Sequence, residues 1–126
     1  PSFVDIYHVF SRMVERSGLS GVVMLCTLDY KKNDISEEKE RDMSHALKKA
    51  IQSSVRKGDF YTKYNMRQYI IMLIGISQEN CPMVSRRIEK AFRKCSGEKK
   101  SLQVDFYVAS VGEVCESDGV IVDRRT

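Results

Sequence analysis

One stretch of this chain cannot be left in water on either side. Residues 68–75 read Gln-Tyr-Ile-Ile-Met-Leu-Ile-Gly, with Ile70, Ile71, Met72, Leu73 and Ile74 in unbroken succession. Successive side chains of a strand point to opposite faces, so an unbroken apolar run needs cover on both. Phe60–Tyr64 precedes it across a tight turn, which predicts a hairpin whose second strand is central. A second run of this kind, VVMLCTLD from Val22 to Asp29, is short, flanked by Gly21 and partly β-branched. It too reads as a strand with both faces largely covered.

Three segments have the spacing to supply that cover. Phe3, Ile6, Tyr7, Phe10, Met13 and Val14 recur every three or four residues, which predicts an amphipathic helix over 3–16 ended by Gly18 and Gly21. Met43, Leu47, Ala50, Ile51 and Val55 form the inner stripe of a second helix. It opens on a capping box at Asp34-Ile-Ser-Glu37 and ends near Lys57, before Gly58. Val84, Ile88, Ala91, Phe92 and Cys95 form the stripe of a third, capped by Ser77 or Asn80, with Pro82 in its first turn. Leu102–Val111 alternates as a strand, with Leu102, Val104, Phe106 and Val108 on one face. Val120–Val122 gives a last, edge strand.

The order is a helix, then β-α-β-β-α-β, then a tail. It predicts an α/β (α+β) ferredoxin-like sheet with helices on one face, an added N-terminal helix that needs its own apolar partner, and a C-terminal edge strand. Residues 1–126 read as one domain. The chain opens on Pro1, which gives the expectation of a piece of something longer.

Composition narrows the function classes. A 42% apolar content supports one real core. A net charge of +4 is a weaker bias than nucleic-acid-binding domains usually carry. The excess falls on Arg86, Arg87, Lys90, Arg93, Lys94, Lys99 and Lys100, much of it the wet face of a helix. Cys26, Cys81, Cys95 and Cys115 show no metal-ligand spacing and read as reduced thiols, Cys26 as a small core residue. His8 and His45 lack ligand-like neighbours. No run spans a bilayer. Tyr61, Tyr69, Phe106 and Tyr107 fall on strands, but the aromatic pattern of an RNA-reading sheet is not matched, so packing is their expected role.

From Gly21 to Gly112 the chain resembles the diguanylate cyclase domain named for its Gly-Gly-Asp/Glu-Glu-Phe hairpin. In that family the preceding helix often ends in Arg-x-x-Asp, followed by five residues and then the signature. Here Arg56-Lys57-Gly58-Asp59 leads through FYTKY to Asn65-Met66-Arg67-Gln68-Tyr69 without a gap. The resemblance puts Asn65 and Met66 where glycines lie beside a nucleotide, Arg67 where a metal-binding or catalytic carboxylate stands, and Gln68 and Tyr69 at the glutamate and phenylalanine. Thr27 falls at or near the family's first metal aspartate, with Asp29 two residues on, on the same strand face.

The chemistry of that family needs two divalent ions to hold a triphosphate and activate a hydroxyl. A guanidinium and a bulky thioether at the turn, with Asp29 as the nearby strand carboxylate, do not make that clamp. The expectation is a domain without catalytic residues, metal or cofactor. Its effector-binding rim, where it has one, is Thr27, Asp29, Asn65, Met66 and Arg67. Arg56 and Asp59 form a second candidate, since the resemblance implies a cyclic di-GMP contact there. The plain alternative is an arginine favoured by the helix C-terminus and an aspartate setting the turn at Gly58.

The strings SSVRKGDFYTKYNMRQYIIML and ENCPMVSRRIEKAF are similar to degenerate cyclase-like modules at the ends of bacterial transcriptional regulators. Those regulators carry a helix-turn-helix domain and a bacterial transcriptional activator domain. The resemblance implies a cytoplasmic, non-catalytic regulatory or assembly domain. Its partners would be other domains of the same regulator, a second copy or a nucleotide effector, with no membrane and no DNA contact of its own. A sensor of nucleotide or cyclic di-GMP without turnover, an enzyme of altered chemistry and a nucleic-acid-binding module are the alternatives.

Overall fold

The computed structural model describes residues 2–31, 34–97, 102–111, 114–117 and 120–123, and beyond Val111 the backbone alone. Lys99, Lys100 and the Cys115 side chain lie outside what it describes. The elements run α1 (Phe3–Ser17), β1 (Gly21–Tyr30), α2 (Glu37–Ser54), β2 (Phe60–Asn65) and β3 (Gln68–Ile74). A 3-10 turn (Gln78–Asn80) then leads to α3 (Cys81–Ser96), β4 (Leu102–Ser110), β5 (Val114–Ser117) and β6 (Val120–Asp123).

The main sheet has the order β2-β3-β1-β4, with every neighbouring pair antiparallel. The two apolar runs are thus its two interior strands, as their composition requires. Ile70 and Ile71 are both fully buried although they face opposite ways. The chain has the expected mixed α/β architecture of a ferredoxin-like sheet.

Each face has its own core. On one, Leu47 and Ile51 of α2 and Ile88 and Phe92 of α3 pack on Met24, Cys26, Ile71, Leu73 and Leu102. On the other, Tyr7, Phe10 and Val14 of α1 pack on Val23, Ile70 and Met72. The added first helix therefore finds its apolar partner on the reverse of the sheet. Each such side chain, fully buried, contributes roughly 1.5–3 kcal/mol. α1 is defined at both ends. Ser2 and Asp5 form a reciprocal capping box, and Gly18 closes the helix with φ 73°.

The helix ends differ from the sequence reading in detail. The N-cap of α2 is Ser36, whose hydroxyl accepts from Lys39 N at 3.1 Å, not Asp34. Ile35 packs against the core just ahead of it, so the chain enters the helix after that anchor. α2 ends at Ser54 rather than near Lys57. The Ser53 and Ser54 hydroxyls donate to Ala50 O at 3.0 and 2.7 Å, and Val55 is extended. Such back-bonding competes with helix continuation. Asn80 stands at the start of α3 but makes no side-chain cap; its amide donates to the Ser77 hydroxyl at 3.2 Å. β6 pairs with β5 in a separate two-stranded sheet, where the sequence alone suggested an edge strand.

Cys26 is fully buried, and desolvation pushes its thiol up to about 12. Burial also raises Cys81, whereas Cys95 is exposed. Alkylation of the native protein at pH 8 should label Cys95 and spare Cys26, which should react only after denaturation; peptide mass spectrometry reads the difference.

Gly21 sits where α1 crosses β1. A Cβ there would lie 2.5 Å from Val14 Cγ2 and 3.2 Å from Phe10 Cζ. Both neighbours belong to a packed core, so Gly21→Ala should destabilise the domain by about 1–3 kcal/mol in chemical denaturation.

Candidate functional site

The hairpin turn is tied to its surroundings by a chain of polar contacts. Gln68 opens β3 opposite Thr27 of β1. Its amide donates to Thr27 Oγ1 at 3.1 Å, and its Oε1 accepts from Asn65 Nδ2 at 2.7 Å. Asn65 Oδ1 in turn accepts from Arg67 N at 2.9 Å, an Asx turn two residues long. Arg67 O accepts from Leu28 N at 2.7 Å, joining the turn to β1. The register shift between Lys63 and Asn65 lets the hairpin close on this pattern instead of on glycines.

The Arg67 side chain crosses to the α2 side of the sheet. One guanidinium nitrogen lies 3.0 Å from Glu40 Oε1, and the guanidinium carbon lies 4.8 Å from the centroid of the Tyr30 ring. Arg67 is 43% exposed and Glu40 24%, so solvent screens much of the ion pair. Pairs of this exposure contribute about 0.2–1 kcal/mol, and the ring contact contributes about as much. Energetically the latch is modest. Its consequence is chemical, since the cation at the turn is already neutralised from within the fold.

Strand alternation separates the remaining candidates. Cys26, Leu28 and Tyr30 face α2 and α3, whereas Val23, Leu25, Thr27 and Asp29 face the α1 side. Asp29 is exposed there, opposite Gln103 of β4. Asp105 stands opposite Thr27 and accepts from Gln103 Nε2 at 3.1 Å. The fold thus brings Thr27, Asn65, Arg67 and Gln68 into one bonded chain. It leaves Asp29 on the opposite face from the Arg67 guanidinium, with Met66 half-buried at the tip.

Two residues of the network carried no expectation from sequence, Glu40 and Tyr30. Glu40 lies one turn before Met43 and Ser44 on the inner stripe of α2, a place where a carboxylate needs a counter-charge. A cation in the turn that precedes β3 was the signal that could have paired them.

The resemblance read from the sequence implies divalent metal ions, and the donors here do not fit them. The turn offers a guanidinium and two carboxamides, while divalent ions of this class require anionic oxygens in number. Among the described residues no three His, Cys, Asp or Glu side chains converge to hold a metal ion. No helix there is long and apolar enough to cross a membrane.

Arg56 and Asp59 form a second, separate constellation at the other end of the hairpin. The Asp59 side chain is only 4% exposed. Its carboxylate accepts from Arg56 N at 2.8 Å and from Ile74 N at 3.3 Å. The Arg56 guanidinium donates to Ile74 O at 2.9 Å and keeps its Nε 3.7 Å from Asp59. Gly58, at φ 102°, allows the turn between them. The pair fastens the start of β2 to the end of β3. Beside it lie a cleft of about 240 Å³ lined by Arg56, Lys57, Asp59 and Ile74 and a smaller one of about 120 Å³ between Arg56 and Arg87.

Asp59→Ala leaves two backbone amides without an acceptor, and should therefore cost about 1–3 kcal/mol in urea denaturation. Arg56→Ala should cost less, because its side chain is 60% exposed.

Comparison of whole folds finds solved structures of similar architecture. The DGC protein from Thermotoga maritima superposes with a TM-score of 0.66 at 13% identity, over 88% of this chain and 79% of that one. Diguanylate cyclase SiaD from Pseudomonas aeruginosa, in complex with its activator SiaC, gives 0.63 at 14%, over 86% of this chain and 45% of that one. An EAL/GGDEF domain protein from M. capsulatus gives 0.65 at 17%, over 83% and 72%. No protein-family profile and no curated protein matches the sequence. At such identities the likeness is one of architecture: the chain has the fold of the GGDEF, diguanylate-cyclase-like domains.

Proposed function

We propose that this domain is a non-catalytic regulatory or assembly module built on the diguanylate cyclase fold and carried by a bacterial transcriptional regulator. The observation that supports it best is the Arg67–Glu40 pair beneath the hairpin turn. A nucleotide triphosphate and its cations need an open cradle lined by carboxylates. This turn is closed by Asn65 and Gln68 and carries a paired guanidinium instead. The transcriptional setting rests on the resemblance of the 53–73 and 79–92 segments to modules of such regulators. SiaD, solved in complex with its activator, shows that one protein of this fold docks onto another protein.

A second reading, a sensor that binds nucleotide or cyclic di-GMP without turnover, is favoured by a separate observation. Arg56 spends part of its guanidinium on Ile74 O, yet stays largely exposed beside two clefts, with Arg87 at the far side of one. Arginine held in this way suits phosphate or guanine. The Thr27–Arg67 rim is the other candidate surface for an effector, and its polar groups are already engaged with one another.

With GTP and Mg²⁺, the purified domain should form cyclic dinucleotide no faster than a protein-free control. Product formation that is lost on Arg67→Ala would overturn the reading. Calorimetry with cyclic di-GMP, on the native chain and on Arg56→Ala, decides between the two readings. Heat that disappears in the variant supports the sensor, and no heat in either supports assembly.

A further inference from the structure

α1 carries more apolar surface than the sheet covers. Phe3, Ile6, Tyr7, Phe10 and Val14 pack towards the sheet, and Ile6 also begins a second stripe, with Val9 and Met13, along the side of the helix. Val9 is 57% exposed and Met13 40%. Across from this stripe, on the edge strand β2, Phe60 is 44% exposed. Together with Met72 they border an open groove of about 380 Å³ whose walls are almost wholly apolar, Asp5 being its charged rim. The groove runs along a helix and beside β2, an edge strand paired only with β3 in the main sheet, so it has the length and chemistry to take another helix.

The charges along its border say which helix. Asp5 stands four residues before Val9, and Arg12 and Arg16 stand three and seven after it on the same side of the helix, with the acid in the first turn of α1 and Arg16 in the last. A second α1 laid antiparallel would bring Asp5 of each copy to Arg12 and Arg16 of the other, and Val9 would meet its own counterpart near the centre. A parallel arrangement would set like charges against one another. An order of charge that is complementary to its own reverse is what a twofold interface demands.

We propose that α1 and the edge of β2 form an isologous homodimer interface. In it the Ile6–Val9–Met13 ridge of each copy lies antiparallel in the other's α1–β2 groove, flanked by reciprocal Asp5–Arg12/Arg16 pairs. This surface lies on the opposite face of the sheet from the Arg67 guanidinium. Its existence therefore does not depend on whether the hairpin rim or the Arg56 cleft binds a ligand.

Sedimentation equilibrium of the 126-residue chain over a wide concentration range tests it. The expected result is a monomer–dimer equilibrium. Val9→Glu should weaken it by about tenfold or more, because the variant places a charge at the centre of the contact. Val9 is exposed in the single chain, so the variant should keep the native circular dichroism spectrum and a similar melting temperature. Asp5→Lys and the double variant Arg12→Glu/Arg16→Glu should each dimerise poorly alone and should pair when mixed, since mixing restores opposite charges at both ends. A chain that stays monomeric at all concentrations overturns the proposal and leaves the groove to a helix of different sequence. So does a dimer that is indifferent to Val9→Glu and to the charge exchange.

Discussion

The structure follows from one constraint, the burial of two adjacent strands on both faces. β1 and β3 are apolar on either side, and neither could sit at a sheet margin or under a single layer of helix. The connection between β1 and β2 puts α2 on one face, and α3 returns to the same face. That leaves Val23, Ile70 and Met72 bare unless something crosses the other side. α1 does so, and Gly21 is the point where it comes closest. The strands pair as β2-β3-β1-β4, which leaves the less apolar β2 and β4 outermost. The hairpin turn and the end of β1 are thereby held together at one end of the sheet. Whatever side chains the sequence supplies at Thr27 and at 65–68 must meet there.

What they do on meeting is governed by charge. A fold that gathers a strand end, a turn and the first turn of a helix in one place can gather carboxylates around a cation. Here the cation is covalent. Arg67 takes its counter-charge from Glu40 and a π face from Tyr30, while the carboxamides of Asn65 and Gln68 satisfy each other and Thr27. The side chains of Asn65, Arg67 and Gln68 each have an internal partner. Each substitution looks like a loss beside a catalytic hairpin, yet together they make a closed set.

Most of the fold was legible because its signals are periodic. The unbroken run at Ile70–Ile74 identifies an interior strand, and the stripes of the three helices name nearly all of the core. The helix ends were read less well, since a cap depends on where the neighbouring side chain lodges. Asp34 and Ser36 are both good N-caps by type, and only the packing of Ile35 selects the second. The same reason limits the site. Sequence marks Arg67 as misplaced for metal chemistry but cannot say where a long side chain goes. Its route to Glu40, 27 residues earlier in the chain, is a tertiary fact. Asp29 joins the candidate rim through the family resemblance and its shared strand face with Thr27. That face is the α1 side of the sheet, whereas the Arg67 side chain passes to the other.

Arg56 and Asp59 show how a motif can outlast the ligand chemistry it suggests. A buried carboxylate is costly unless it is fully hydrogen-bonded. Asp59 is bonded on both oxygens to main-chain amides, one from its own turn and one from the end of β3. It does the work of the ladder at the point where β2 has run out. Arg56 supplies the compensating charge and spends one nitrogen on the carbonyl of the same residue, Ile74, whose amide Asp59 holds. The Arg-x-x-Asp spacing is what a turn of this length needs to clamp a single residue of the neighbouring strand from both its N–H and its C=O. On that argument the spacing is first a device for fastening the hairpin, and any ligand that reaches the exposed part of Arg56 uses a guanidinium the fold has already oriented.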